Sequence, residues 1–337
     1  DTAEKWLNAN SAGSGAYTLD KWKQNEELSL VKNKEYWGEV KNDKVICKEI
    51  PDVNTQIQML KQGDIDIALG IGVDNVSQLK DQEGVKIKNY VGSTTTFLLM
   101  NQDEKIGGPM ANPKVQEAVR KAINYKELLK ISGDKSVLPL DIVPKGFTGA
   151  LEKEEDYQDL DEAKKLMEEA GYKDGFEVKF TVANFDTEGM SWTTLGQKIK
   201  DDLEKIGINA KIETSEIGVV IDSYREGKEA FLLMHWHPDY MEINNQLVFL
   251  PGDTVGERAK WMDTSNTKME ELKKTIQTES DEDKRVAASE ELQKLLANDM
   301  PYAFLVQHPK VLAYRDNLKG VNYFEVQKIN FQDVEIN

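Results

Sequence analysis

The sequence predicts an α/β protein folded in two lobes, with mixed sheets flanked by helices. Three observations carry that reading. The first is a strand–helix–strand–helix–strand order ending in the apolar run Phe231-Leu232-Leu233-Met234. Such an order favours parallel pairing with right-handed crossovers. The second is a separate strand–helix–strand unit nearer the N-terminus, whose helix stops at Gly63 before the strand Ile65-Asp66-Ile67-Ala68-Leu69. The third is the length, 337 residues, more than one small core organises.

Each element has a local reason. Residues 2–8 suit a short helix, and residues 28–32 and 45–50 read as strands. A helix from about Asn54 carries Ile57 and Leu60. Residues 85–90 and 94–100 add two strands, the second ending at Asn101. Asn112-Pro113 is a cap followed by proline at the first helical position. Val115, Ala118, Val119, Ala122 and Ile123 then form one apolar stripe. Between residues 133 and 149 the pattern dissolves among prolines and glycines, which places a lobe boundary there. The expected lobes are residues 1–134 with 303–337, and residues 135–302.

Within the second lobe, residues 161–170 suit a helix stopped by Gly171. Residues 177–182 and 208–212 alternate polar and apolar, the period of half-buried strands. The helix between them shows Leu195, Ile199, Leu203 and Ile206 on one stripe, closed by Gly207. A shorter helix at about 218–225 leads to the strand of Phe231. Two amphipathic helices, at about 265–278 and 281–298, end at Met300-Pro301, and residues 302–314 form a returning strand.

The strand of Phe231 ends in chemistry: His235, Trp236, His237, Pro238, Asp239, Tyr240 and Glu242. Pro238 has no N–H for a ladder, so the strand stops about there. Ligands of open α/β sheets sit outside the carboxyl ends of the strands, where Asn184, Ser215 and the 236–239 turn would gather. Histidines 235 and 237, spaced i, i+2, suit two metal ligands with Asp239 as a third. Packing or hydrogen bonding of the two rings in a cleft is the plainer use of them, since His308 is the one other histidine. Asp239 and Glu242 also have the composition of a hydrolase carboxylate pair. With 60 acidic residues in the chain, however, such a pair is expected by chance. The Gly13-Ser14-Gly15 turn has glycines enough to cradle a phosphate, but no Lys-Ser/Thr follows, and a plain tight turn fits better. The acidic run at residues 152–156 reads as a solvated loop.

The bulk properties exclude several classes. The 43 basic and 60 acidic residues leave a net charge of −17, which repels phosphate backbones and argues against nucleic-acid binding. The single Cys47 forms no internal disulfide and has no metal-ligand spacing about it. No apolar run approaches the ~20 residues of a membrane span. Nor does the sequence open on a secretory leader, which leaves the expectation of a cytosolic chain or of one whose targeting segment has been removed.

Five stretches, in order, resemble one family. They are Gly13-Ser14-Gly15-Ala16-Tyr17 with Leu19 and Trp22; Asn33-Lys34-Glu35-Tyr36-Trp37-Gly38; Gly63-Asp64-Ile65-Asp66-Ile67-Ala68; Ala118-Val119-Arg120-Lys121-Ala122-Ile123-Asn124; and Trp236-His237-Pro238-Asp239-Tyr240. The chain is similar to extracellular solute-binding proteins of the peptide/nickel-binding family, the receptors of ABC importers. Ala16 departs from the family's usual proline and Gln116 from a frequent arginine. The resemblance implies a two-lobed, periplasmic-binding-protein-like fold with the ligand in a cleft between lobes. It also implies a role as a non-enzymatic receptor, without cofactor, that captures short peptides outside the cytoplasm. Its other partners would be permease subunits, and it would touch the membrane only through a lipid anchor outside this chain. In the peptide-binding branch, the aspartate of the W-x-x-D turn pairs with the peptide's α-ammonium group, which points to Asp239 with Trp236 as a pocket wall. His237, Tyr240 and Asn101 complete the expected ligand-binding set. The same fold also serves a metal-chelate receptor, the alternative that His235 and His237 suit. The family carries roughly 150 further residues before the Gly-Ser-Gly turn, the size of a whole domain. The chain therefore resembles the C-terminal part of such a receptor, and the first lobe is expected to show an exposed strand edge or apolar patch.

Overall fold

The computed structural model describes residues 2–7, 9–152, 158–297, 299–325 and 328–337, apart from the side chains of residues 73 and 74. Residues 153–156 of the acidic run lie outside the described residues, as do positions 8 and 298 at the ends of two expected helices. The chain divides into two compact units, Asp1–Tyr90 with Val311–Asn337, and Val91–Lys310.

In the first unit, β1 (Tyr17–Lys23), β2 (Glu27–Lys32) and β3 (Lys44–Lys48) form an antiparallel sheet with β3 outermost. The helix Val53–Gln62 is capped by Asp52, whose carboxylate accepts the Thr55 N–H at 2.7 Å. It closes on Gly63, whose φ of 83° a side-chain-bearing residue adopts only with strain. Its buried face, Ile57 and Leu60, packs with Ala68, Ile71 and Leu79. There β4 (Ile67–Leu69) pairs antiparallel with residues 312–314. A groove of about 570 Å³ lies against β3 and β4, with a mixed lining of apolar residues such as Ile46, Leu69 and Ile336 and charged ones such as Lys48, Glu49 and Asp66. Ile46, Leu69 and Ile336 are exposed along it. β5 (Val85–Met100) starts in this unit and continues into the second. It is a single strand where the sequence suggests two.

The second unit adds β6 (Phe176–Asn184), β7 (Asp186–Thr187), β8 (Met190–Ser191), β9 (Ile208–Glu216), β10 (Phe231–Trp236) and β11 (Tyr302–Arg315). Its sheet runs β11-β5-β10-β6-β9. β10, β6 and β9 are mutually parallel, as the strand–helix alternation predicts, and β5 is antiparallel to β10. The crossover helix Trp192–Glu204 buries Leu195, Ile199 and Leu203, and the helix Ile217–Arg225 returns the chain to β10. Phe180 of β6 stacks on Phe231 of β10 at 4.4 Å between centroids. Edge-to-face contacts join Phe97, Phe249 and Tyr302. Burying side chains of this size stabilises by about 1.5–3 kcal/mol each, which makes this aromatic layer the anchor of the unit.

The structure draws the lobe division at residues 90/91 and 310/311, and the expected crossings at 134/135 and 302/303 both fall inside the second unit. The reason is that the 133–149 stretch is packed and is no exposed linker. Val137 bridges to Gln307, the Gln307 carboxamide binds both N–H and C=O of Lys145, and Asp141, Ile142, Val143 and Phe147 are buried. Its prolines and glycines shape turns within a core. The C-terminal tail does rejoin the N-terminal residues, from Val311 onward.

Candidate binding edge of the second unit

Because β6, β9 and β10 are parallel, their carboxyl ends emerge at one edge. Asn184 is paired with Glu216 there, Ala183 with Ser215, and β10 ends at Trp236. The antiparallel β5 faces that end with Thr95 opposite Trp236 and Thr96 opposite His235. The sequence expectation that Asn184, Ser215 and the 236–239 turn share an edge therefore holds in the structure.

The three histidines each meet a threonine. His235 Nδ1 lies 2.9 Å from Thr187 Oγ1, which also accepts the indole N–H of Trp192 at 2.8 Å. The His235 ring is held edge-on by Trp192 and Phe185 at 5.2 and 5.5 Å. His237 Nδ1 lies 3.0 Å from Thr94 Oγ1, and the buried His308 pairs through Nε2 with Thr96 Oγ1. Burial, then the charge of His237 and Lys310, pulls the His235 imidazole down to about 4. Burial, then His235 and Lys310, pulls His308 down to about 3. Both rings are therefore neutral near pH 7. Among the described residues no three His, Cys, Asp or Glu side chains gather as a metal set, and His235 is packed as an aromatic ring.

Past the strand, Pro238 is buried while Asp239 and Tyr240 are exposed. The Asp239 amide donates to Asn245 Oδ1 at 3.1 Å, which fixes the turn. The Asp239 carboxylate has no ion pair or hydrogen bond among the described residues. Trp236 packs edge-on against Phe249 at 5.8 Å, and its indole N–H is enclosed without an acceptor among the described residues. Glu242 is a structural residue. One oxygen accepts the Asn244 N–H at 2.9 Å, capping the 3₁₀ helix Ile243–Phe249, and the other pairs with Arg285. This corrects the hydrolase pairing of Asp239 with Glu242, because the second carboxylate is already engaged.

Asn101 needs the same correction. It is fully buried; its amide donates to the carbonyls of Gly227 and Glu229 at 3.0 Å each, and its Oδ1 accepts the Asp103 N–H at 3.0 Å. It ties the end of β5 to the loop before β10, at the end of β10 remote from Trp236, and offers a ligand no accessible atom. Conversely, sequence reasoning passed over Lys310 and Glu188. Lys310 lies in β11 and is almost buried, and Glu188 sits at the tip of the β7–β8 hairpin and pairs with it. One signal was available: a lysine inside a strand that is otherwise buried and largely apolar.

A family model described as "Bacterial extracellular solute-binding proteins, family 5 Middle" matches residues 1–258. The chain belongs to that family. Di/tripeptide-binding protein 2 of Pseudomonas aeruginosa is 24% identical over 338 residues, covering 98% of this chain and 62% of that protein. Among solved structures, an ABC transporter-associated periplasmic binding protein of Helicobacter pylori, in complex with the peptide STSA, superposes with a TM-score of 0.81 at 24% identity. It covers 96% of this chain and 63% of that one. A Staphylococcus aureus protein in complex with Ni(L-His)2 superposes with a TM-score of 0.77 at 17% identity, over 98% of this chain and 70% of that one. This family-5 chain thus spans about three-fifths of the length of the curated relative it matches, 62%. Its fold is that of the two-lobed periplasmic binding proteins.

Proposed function

We propose that this chain is part of the extracytoplasmic receptor of an ABC importer and captures short peptides by their α-ammonium group for delivery to a membrane permease. The observation that carries the reading is Asp239. It stands exposed at the carboxyl end of β10, its amide fixed by Asn245, while the neighbouring Glu242 and Glu188 are engaged by Arg285 and Lys310. A carboxylate whose turn is fixed and which has no ion pair among the described residues suits a ligand ammonium, because each charge then offsets the other's desolvation. Trp236 would supply the wall against the adjoining side chain, with Tyr240 and His237 beside it. The peptide ligands named for the Pseudomonas and Helicobacter relatives support the same reading.

The test is calorimetric titration with tripeptides bearing a free or an N-acetylated amine. Asp239→Asn keeps the shape and removes the charge; with the pair buried beneath a bound peptide, the loss is about 2–5 kcal/mol, or roughly 30- to 4,000-fold in affinity. Acetylation should reproduce that loss, and the two changes together should not add. Equal binding of acetylated and free peptides would remove Asp239 as the amine anchor. A metal chelate is the second reading, which the i, i+2 spacing of His235 and His237 suits. Native mass spectrometry of the purified protein separates the two readings as a peptide ladder or a metal adduct.

A further inference from the structure

The amide of Asp239 is fixed by Asn245, and Asn245 belongs to a helix of an unusual kind. Ile243–Phe249 is a 3₁₀ helix of seven residues. That is about twice the length at which such helices ordinarily stop, because their hydrogen bonds are poorly aligned. Local propensity does not hold it; its two ends do. At the far end Phe249 sits in the aromatic layer, edge-on to Phe97 and Tyr302 at 5.4 Å each. At the near end one carboxylate oxygen of Glu242 accepts the Asn244 N–H at 2.9 Å, and the Glu242 backbone carbonyl accepts the Asn245 N–H at 3.0 Å.

Glu242 is held in turn by the helix Glu282–Leu296. Arg285, Ser289 and Gln293 recur at i, i+4 and i+8, which puts them on one face of that helix. Arg285 pairs with the second oxygen of Glu242. Ser289 and Gln293 are buried and donate to the carbonyl of Gly149, at 3.3 and 2.7 Å. Gly149 has a φ of 82°, and a Cβ there would come within 2.6 Å of Ile243 Cδ1. The first residue of the 3₁₀ helix thus lies on the glycine that the same helix face grips. A buried polar face persists where its bonds are made, and here those bonds lead to the start of the 3₁₀ helix. The contacts run from Arg285 to Glu242, from Glu242 to Asn245, and from Asn245 to Asp239.

We propose that Arg285 is a positioning residue for the amine anchor. By pinning Glu242 it fixes the start of the 3₁₀ helix, and through Asn245 it holds the Asp239 carboxylate where a peptide ammonium meets it. The proposal rests on the peptide reading and deepens it. The side chains of Arg285 and Glu242 are 28% and 31% exposed, and a pair so accessible adds little to stability by itself. Its effect is read in binding, because an anchor ordered beforehand need not be ordered when the ligand arrives.

Titration calorimetry with free-amine and N-acetylated tripeptides tests this, the ratio of the two affinities being the readout. Arg285→Met removes the clamp and should lower that ratio by about two- to thirtyfold, the worth of a helix cap. The change should lie in the free-amine peptides. Arg285→Lys keeps a cation for Glu242 and should restore most of the ratio. Asn245→Ala breaks the last step and should lower the ratio at least as far, and adding Arg285→Met to it should cost nothing more. A merely structural clamp moves both peptide classes equally, or only the melting temperature. Equal weakening of both classes, an unchanged ratio, a lysine variant no better than methionine, or additive effects of the two changes would each overturn the proposal while the amine site stands. Should Arg285→Met fail to fold by circular dichroism, Glu242→Gln, which keeps an oxygen for Asn244 and loses the charge, carries the same comparison. A parent protein that does not distinguish free from acetylated peptides removes the amine anchor itself, and this proposal with it.

Discussion

Replacing His308 with glutamine should flatten the acid limb of the stability curve. His308 is 1% exposed, and burial followed by the positive charge of His235 and Lys310 holds it down at about 3 in the fold. Its unfolded value is near 6.5. A depressed cationic group contributes stability that is complete above pH 6.5 and is lost as pH falls through the folded value, because the unfolded chain takes up the proton first. The full gap of about 3.5 units corresponds to roughly 5 kcal/mol. The part reached between pH 6.5 and 4.5 is roughly 2–3 kcal/mol. Glutamine keeps a partner for Thr96 and does not titrate. Urea unfolding of both proteins at half-unit steps of pH should therefore show the parent losing stability relative to His308→Gln by that amount on acidification, with parallel curves above pH 7. Carboxylates titrate in both proteins and cancel in the difference. Parallel curves from pH 6.5 to 4.5 would mean that His308 is solvated or already charged in the fold, and the buried His–Thr arrangement at this edge would have to be abandoned.

Two further substitutions probe the packed stretches. Asp141, buried with its carboxylate accepting the Ile142 N–H at 2.7 Å, is raised to about 7, chiefly by burial. The stability it confers is thus full below its ordinary 3.8 and lost as pH rises through 7. Asp141→Asn should gain on the parent by about 4 kcal/mol between pH 4 and 8, read by the same unfolding series, and a difference independent of pH would refute the burial argument. Asn101→Ala strands two carbonyls and one N–H and should cost about 2–4 kcal/mol by thermal or urea unfolding. Peptide affinity at a temperature where the variant is folded should not move, and a selective loss of affinity would restore Asn101 to the ligand site.

Much of the fold was legible because its signals are local. The cap at Asn112-Pro113, the closing Gly63 and Gly207, and the stripe of Leu195, Ile199 and Leu203 each act within a few residues, and the structure shows each in place. The parallel β9-β6-β10 core followed from element order alone. The lobe division did not, because prolines and glycines mark turns whether or not the turn is buried. Residues 133–149 are buried by Gln307 and its neighbours, more than 150 positions on in the sequence. Asn101 misled for a related reason: a strand end is a common place for a ligand residue and an equally common place for a backbone tie.

The carboxylates show where sequence reading stops. Asp239, Glu242 and Glu188 are three among 60 acidic residues, and nothing in the local sequence ranks them. Their difference is one of commitment. Glu242 is taken by Arg285, 43 positions on, and by the helix it caps; Glu188 is taken by Lys310, 122 positions on. Only the tertiary fold brings those cations within reach, and of these three carboxylates it leaves Asp239 exposed and without an ion pair among the described residues. The histidines follow the same logic in reverse. The i, i+2 spacing of His235 and His237 invites a metal, yet Thr187, Trp192 and Phe185 on one side and Thr94 on the other give each ring a protein partner first. At this edge Glu188 is matched by Lys310 and Glu242 by Arg285, while the Asp239 carboxylate has no ion pair among the described residues and is the charge that a ligand ammonium would balance.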